Sequence, residues 1–600
     1  MSRSAGRIGW FLVWAVVFCD IGTSVYYVPG LLYGSTGDSA GFFVLATMVA
    51  FVLLCIKEVE TTRRFPSGGG VVALADKAFG PWFGCLGGQM IMVDFFLTVS
   101  ISAISGVYYI DSVAQIGESN VLPATLACLV VLCGLNIVGV KESALASLGL
   151  ALLAFAVNLV VIGTALFRAP MEVLARIPAE FASVGKLDTW HLLMGYSGAW
   201  LAFSGLESMS QIAPAMRDLG PTPKKGMIAV AVSVILTAPA LTFLSTASLS
   251  EHVKAHESER FISELAHVWG GDGLKLAVVL SASSLLLFAA NTAIIGNYHV
   301  MMALVRRQFL PEALGALSRR YQTPYRAIVL CTAIPAAVLY AVNGNMILLG
   351  ELYAFGLLGA FTISSIGIDV LRWRDEERGA NFWIGVFTSV AVSLAFCVNL
   401  VAKFKATEFG CVVGGVGMFI AYLTRSGKLD ALLEKIPRLN PPREIERSDT
   451  VFFTVEQATA QRVVASEPGV IVASRGATRK IFKEAVDRAR GRGLDQVYAI
   501  YVDEVPGLFY PQLAAPSPEG LAVLEAASAV IASLDMKCVP VWGISHSAAI
   551  SVAEAAEDLG CDTVVIGATQ RTFLWATLRG KFIQDLLGQL PPEIRLIVVG

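Results

Sequence analysis

Apolar runs long enough to cross a bilayer recur along the first two thirds of the chain. They fall at about 9–33, 38–56, 83–113, 121–138, 143–167, 188–215, 224–248, 273–305, 325–343, 346–373, 380–402 and 407–425. A hydrocarbon core about 30 Å thick needs roughly 20 apolar residues per helix, so the pattern predicts about twelve spanning helices. Beyond residue 428 the pattern changes. A stretch rich in proline and charge predicts a linker over 431–450, separating a transmembrane domain, 1–430, from a cytosolic domain, 451–600. In that second domain, short apolar runs at 469–474, 497–502, 537–542, 563–567 and 595–599 alternate with helical patterns at 477–491, 519–534, 548–559 and 574–587. Strand and helix in alternation predict a mostly parallel, doubly wound α/β sheet.

The basic residues orient this map. Lys57, Arg63, Arg64, Lys141, Arg217, Lys224, Lys225, Arg306, Arg307, Arg372, Arg374 and Arg425 fall at or beyond span ends on one side. The positive-inside rule makes that side cytoplasmic, which predicts a multi-pass inner-membrane protein with both termini in the cytoplasm. Two connections on the other side, 168–187 and the Lys403/Lys405 turn, also carry basic residues. The polar connection 250–272 holds an amphipathic segment near 261–269, expected to cap the external face. Composition excludes some classes. With 55% hydrophobic and 15% charged residues, a mean hydropathy of +0.66 and a formal net charge of -2, the chain has no basic patch for nucleic acid. The ten cysteines form no C-x-x-C pair, so neither a zinc site nor a disulfide framework is indicated. No nucleophile–histidine–acid set supports a hydrolase or redox enzyme.

Against that background the intramembrane polar residues carry the chemistry. Asp20 lies inside the first span, where a carboxylate costs roughly 3 kcal/mol or more unless it meets water, an ion or a partner. Gly22, Thr23 and Ser24 follow it, a weak helix former beside hydroxyls that compete for backbone hydrogen bonds. The mixture predicts a helix broken halfway across, with exposed carbonyls next to an acid. In the third span Asp94, Thr98 and Ser102 are spaced four apart and share one helical face, a stripe of oxygen ligands suited to a hard cation. In the sixth span Ser204, Gly205 and Glu207 repeat the hydroxyl–glycine–acid design of the first. Paired interruptions in spans one and six are expected of two five-helix halves forming an inverted repeat. Asn291 and Thr292 read as interhelical hydrogen-bonding groups, Asp369 as an acid snorkelling beside Arg372, and 65–70 as either a tight re-entrant approach allowed by three glycines or a plain loop.

These residues resemble the amino acid–polyamine–organocation (APC) superfamily and, within it, the KUP-type and KimA-type potassium importers. The KUP pattern Gly-Asp-Ile-Gly-Thr-Ser-x-x-Tyr is met at Asp20 through Tyr27, departing only at Cys19. The Pro66–Gly70 loop, the Val93–Ser102 stretch, Ser204–Glu207 and Ala289–Thr292 are similar to other elements of these families. The resemblance implies a LeuT-like fold with broken helices one and six. It also implies potassium liganding or proton coupling by Asp20, Tyr27, Asp94, Thr98, Ser102, Ser204 and Glu207, and no cofactor for transport. An amino-acid permease of the same superfamily is the alternative, and a nucleotide-responsive sensor on a transporter scaffold is a third reading. The C-terminal domain resembles universal stress proteins, which bind ATP or AMP through Gly-x-x-Gly-x9-Gly-Ser/Thr. Here Gly567 and Gly580 keep the pattern, while Gln570 replaces a glycine and Lys581 the hydroxyl. The first-strand acid is also missing, since Ser474-Arg475-Gly476 stands there. Arg475 and Lys581 are the counter-charges for a nucleotide, with cyclic di-AMP an alternative ligand and a homodimer the implied assembly.

Overall fold

The computed structural model describes residues 8–66, 68–139, 144–316, 318, 321, 323–429, 452–460, 469–474, 476, 479–504, 516–545, 547–567 and 582–599. The predicted linker, 431–450, lies outside them. Contacts divide the chain into two compact units, one formed by the helices between residues 8 and 440 and the other containing the sheet of residues 441–600.

In the first unit α1 (Trp10–Ile21), α2 (Ser24–Thr36), α3 (Ala40–Arg64), α4 (Gly70–Phe79), α5 (Pro81–Ala114), α6 (Glu118–Val138) and α7 (Ala144–Arg168) follow in order. Two short helices, α8 (Met171–Leu174) and α9 (Arg176–Val184), lead to α10 (Thr189–Ala199), α11 (Ser208–Gln211), α12 (Pro221–Ser248) and α13 (Glu251–His256). The unit ends with α14 (Phe261–Arg306), α15 (Tyr325–Ala341), α16 (Met346–Arg374), α17 (Ala380–Ala402) and α18 (Phe404–Arg425). Among the described residues, nine helical stretches are long and apolar enough to cross a membrane. The first of these, residues 10–64, covers two predicted spans. Two more predicted spans miss the length criterion, because the sixth is interrupted and α15 has 17 residues.

The helix α5 is the axis of this unit. In its most apolar window 94% of residues are buried, against 22% for α6 and α18. It packs against α14, α16 and α4. Small residues permit the close approach: a Cβ added at Gly356 of α16 would stand 2.7 Å from the backbone nitrogen of Asp94. By contrast α6, α7, α17 and α18 turn Val130, Leu145, Phe387 and Phe419 outward, as helices facing lipid do. The segment 261–269 is helical as expected and buries Phe261, Ile262 and Leu265. It continues through a kink at Gly271 (φ 70°) into the same helix that carries Asn291.

Two sequence expectations need correction. The second span does not end at residue 56: α3 continues to Arg64 and turns Lys57 inward, 4% exposed. Asp369 does not snorkel. It is buried and takes the Lys57 ammonium at 2.8 Å and the Ser389 hydroxyl at 2.6 Å, with Arg372 at 3.5 Å. Lys57 also donates to the Ser365 carbonyl at 2.9 Å and to the Ser365 and Ser389 hydroxyls at 2.8 Å each. An unpaired ammonium or carboxylate at this depth costs several kcal/mol, so burying both charges together is what makes either tolerable. Around them Arg372 meets Glu60, and Arg64 bridges Glu60, Asp375 and Glu377. Asn291 accepts a hydrogen bond from Asn136 Nδ2 at 2.7 Å, the interhelical role expected.

The second unit is a six-stranded parallel sheet of β1 (Phe453–Thr454), β2 (Gly469–Ala473), β3 (Gln496–Glu504), β4 (Lys537–Ser545), β5 (Cys561–Gly567) and β6 (Arg595–Val599), in the order β1-β4-β3-β2-β5-β6. Side chains alternate across it. Ile471 joins the apolar layer under the helices 548–558 and 582–589, while Val470 and Val472 join the layer under 479–490 and 518–532. The sheet is therefore covered on both faces, as its continuous apolar strands predict. The edge strand β1 was too short to leave a sequence pattern.

Candidate functional site

The two interrupted helices meet at the centre of the first unit, and they are interrupted differently. Between α1 and α2 the chain stays right-handed at Gly22 (φ −65°, ψ −16°) and Thr23 (φ −70°, ψ −27°), so the break is a tightened turn. Its carbonyls are not exposed as expected: Thr23 Oγ1 donates to the Asp20 carbonyl at 2.6 Å and Ser24 Oγ to that of Ile21 at 2.7 Å. Hydroxyls at i+3 compete for these carbonyls, which is also why the helix tightens there. The second break is wider. After α10 a 3-10 turn, Trp200–Phe203, gives way to extended backbone at Ser204 (φ −59°, ψ 139°) and left-handed Gly205 (φ 94°). Glu207 then caps the N-terminus of α11.

Contacts fasten one break to the other. Ser24 Oγ reaches the Ala202 carbonyl at 3.0 Å. A Cβ added at Gly205 would lie 2.8 Å from both Cγ of Asp20 and the Ile21 nitrogen. Only glycine suits this position, by its φ and by this proximity.

The predicted oxygen ligands converge against α5. Thr98 Oγ1 donates to the Asp94 carbonyl at 2.9 Å and hydrogen-bonds the Tyr353 hydroxyl at 2.7 Å. Tyr27 has Thr23, Asp20, Asp94 and Tyr353 as polar neighbours. Asp94 has Glu207 and Asp20 as its charged neighbours, all acids. Asp94 and Ser102 are fully buried and Glu207 is 3% exposed. Among the described residues no donor group meets either Asp94 carboxyl oxygen, Glu207 Oε2 or Ser102 Oγ, while the Asp94 and Glu207 carboxyls lie within hydrogen-bonding reach of each other. Buried acceptors without a donor are costly and rare, so such a cluster marks a place where a ligand or proton belongs.

Spacing divides the set into levels. Eight helical residues, about 12 Å of rise, separate Asp94 from Ser102, too far for both to hold one small ion. Asp94, Glu207, Tyr27 and Tyr353 form one level with Asp20 beside it. Thr98 stands between that level and Ser102. Ser204 shapes the break through its backbone. Tyr353 was invisible in the sequence, where a tyrosine in an apolar run carries no distinguishing signal. Glu58 of α3 was also passed over, although an acid at the end of an apolar run is the kind of signal that marks function.

In the second unit, β2 lies between strands wound in opposite directions, and ligands of such sheets bind beyond the carboxyl ends of the strands at that switch point. Gly567 ends β5 there, with Ser474 at the end of neighbouring β2. Arg475, Gly580 and Lys581 lie outside the described residues.

Residues 8–419 match the family model described as amino acid permease. The chain is 25% identical to the potassium transporter KimA of Bacillus subtilis over 382 residues, covering 61% of this chain and 61% of KimA, less than two thirds of that relative's length. It is 23% identical to an uncharacterised transporter of Mycobacterium tuberculosis over 410 residues, covering 68% and 86% of the two chains. It is 19% identical to the low-affinity putrescine importer PlaP of Escherichia coli over 353 residues, covering 58% and 77%. Among solved structures, a universal stress protein from Archaeoglobus fulgidus is matched at 16% identity and a TM-score of 0.18, covering 22% of this chain and 99% of that one. With a multi-pass bundle, two interrupted helices meeting at its centre and a family match over most of its length, the chain belongs to the amino acid permease family of membrane transporters.

Proposed function

We propose that this chain is a proton-coupled importer of potassium. The observation that carries the reading is the pair of buried carboxyls on Asp94 and Glu207, which lie within hydrogen-bonding reach of each other and whose charged neighbours are acids. Two adjacent carboxylates in a low-dielectric interior need a cation or a proton to balance them. A dehydrated K+ held by these carboxylates and by the Tyr27, Thr98 and Tyr353 hydroxyls supplies that balance. A proton on Glu207 or Asp94 travels with the ion, so the two carboxyls carry one K+ and one H+ inward together. Asp20, at the carboxyl end of α1 where the helix dipole favours cations, adds to the attraction. Alternating access then follows from one part of the bundle rocking about the two breaks.

A second reading, transport of an amino acid or an organic amine, is favoured by the family model and by the similarity to a putrescine importer. The acids welcome an ammonium group but oppose the carboxylate of an amino acid beside Asp20. The closely packed site also suits a small ion better than a long amine. Uptake of rubidium, putrescine and alanine by proteoliposomes of the purified protein separates these readings. Rubidium uptake that Asp94→Asn and Glu207→Gln abolish supports the potassium reading, and uptake of alanine or putrescine alone removes it.

We further propose that the α/β unit regulates flux by binding a nucleotide, ATP, AMP or cyclic di-AMP, at the switch point beside Gly567. A rise in the melting temperature of the full chain with one of these nucleotides supports this role, and no change with any of them contradicts it.

A further inference from the structure

Glu58 is a half-buried acid that the transport site does not use. It lies on α3, on the approach from the centre of the bundle to the basic end, where Arg64 binds Glu60, Asp375 and Glu377. Its Oε1 is buried and has no hydrogen-bond partner among the described residues. Its polar neighbours are the side chain and backbone of Ser210 on α11, and its charged neighbour is Glu207. Ser210 Oγ in turn donates to the Glu207 carbonyl at 3.0 Å, so one serine touches both acids' surroundings.

A structural acid at this depth would be paired with a cation, and the cations of α3 are engaged elsewhere. Lys57 donates to Asp369, Ser365 and Ser389. Arg63 donates to the carbonyls of Leu219 at 3.1 Å and Gly220 at 2.8 Å. Arg64 is taken by Glu60, Asp375 and Glu377. From the helices packed against α3, Asp369 and Arg372 of α16 are held by Lys57 and Glu60, and Lys224 and Lys225 of α12 are exposed. Among the described residues, the charged neighbour of the Glu58 carboxyl is Glu207, another acid. A buried carboxyl with an acid for its neighbour and no cation is suited to carry a proton.

We propose that Glu58 is a second proton station, taking the proton from the neighbouring Glu207 carboxyl and releasing it toward the basic end of the bundle. This rests on the proton-coupled reading of the central site. The step balances: the protonated Glu207 carboxyl becomes a carboxylate, the Glu58 carboxylate becomes an acid, and Glu58 then loses its proton to water. The returned charge on Glu207 is what the next cation meets.

The test uses the full chain in proteoliposomes holding a pH-sensitive dye, comparing wild type, Glu58→Gln and Glu58→Asp. In Glu58→Gln, rubidium–rubidium exchange, which moves no proton, stays within about twofold of wild type. Its rubidium accumulation driven by a pH gradient and its rubidium-coupled acidification fall by about tenfold or more, the scale of a lost acid–base group. Glu58→Asp recovers coupling in part. Wild-type coupling in Glu58→Gln overturns the proposal. So does loss of exchange and coupling together that Glu58→Asp does not restore, since that pattern marks a structural residue. Wild type judges the reading beneath: no rubidium transport by wild type removes potassium as the substrate, and the same comparison is then made with alanine or putrescine. Wild-type transport of any of them without proton movement overturns both the coupling and the Glu58 station.

Discussion

Tyr353 supplies Thr98 with a hydroxyl at 2.7 Å inside the acid cluster, so its removal is a local test of the site. Losing one neutral hydrogen bond costs about 0.5–1.5 kcal/mol. For Tyr353→Phe this predicts about a two- to tenfold weaker apparent rubidium affinity, with the melting temperature close to wild type. Equal affinity would remove Tyr353 from the site. Gly205 gives a harsher outcome. Alanine there meets a left-handed φ and the Asp20 side chain together, a strain of about 1–3 kcal/mol. Gly205→Ala is expected to lose transport and to melt a few degrees lower, and normal uptake would show that the break tolerates a Cβ. The acids of the site were legible because a carboxylate in an apolar run is expensive and therefore conspicuous. The pairing of Thr98 with Tyr353 was not, since it joins helices 255 positions apart and either residue alone looks like ordinary packing.

Among the elements, α3 departs furthest from what its sequence suggested. Its basic residues marked a loop, yet the helix runs on and buries Lys57 against α16 and α17. Breaking such a pair from one side costs about 3–5 kcal/mol, whereas replacing both charges by apolar groups is often near neutral. Lys57→Met therefore melts well below wild type in detergent, and Lys57→Met combined with Asp369→Leu recovers most of the loss. Equal melting of the single variant and wild type would contradict this account.

A pH effect belongs to α9, outside the spans. Burial pushes the Glu180 carboxyl up from 4.5 to about 8, against the opposing hydrogen bond from Thr246 Oγ1 at 3.0 Å. A raised carboxyl contributes stability that is complete below its ordinary value and is lost as pH rises through 8. Wild type should then lose more melting temperature between pH 6 and pH 9 than Glu180→Gln, and parallel losses would refute the assignment. The two helix breaks show the same limit of sequence reading at this scale. Glycine, hydroxyl and acid located both, but only three-dimensional contacts decide that one tightens and the other opens.

At the scale of the whole molecule, apolar length and strand–helix alternation made the bundle and the α/β sheet legible. Five of the six strands fall where alternation put them, and β1 was missed because two residues carry no period. The acids drawn from α5, α11 and the end of α1 meet only because two helices stop mid-bundle, an arrangement no local pattern contains. The central claim is that this acid cluster carries a small monovalent cation together with a proton. The most direct measurement is rubidium uptake into proteoliposomes under an imposed pH gradient, with the vesicle exterior acidic. The account predicts accumulation that rises with the gradient, is competed by potassium and disappears in Glu207→Gln. Rubidium uptake absent from wild type while alanine or putrescine accumulates would contradict it.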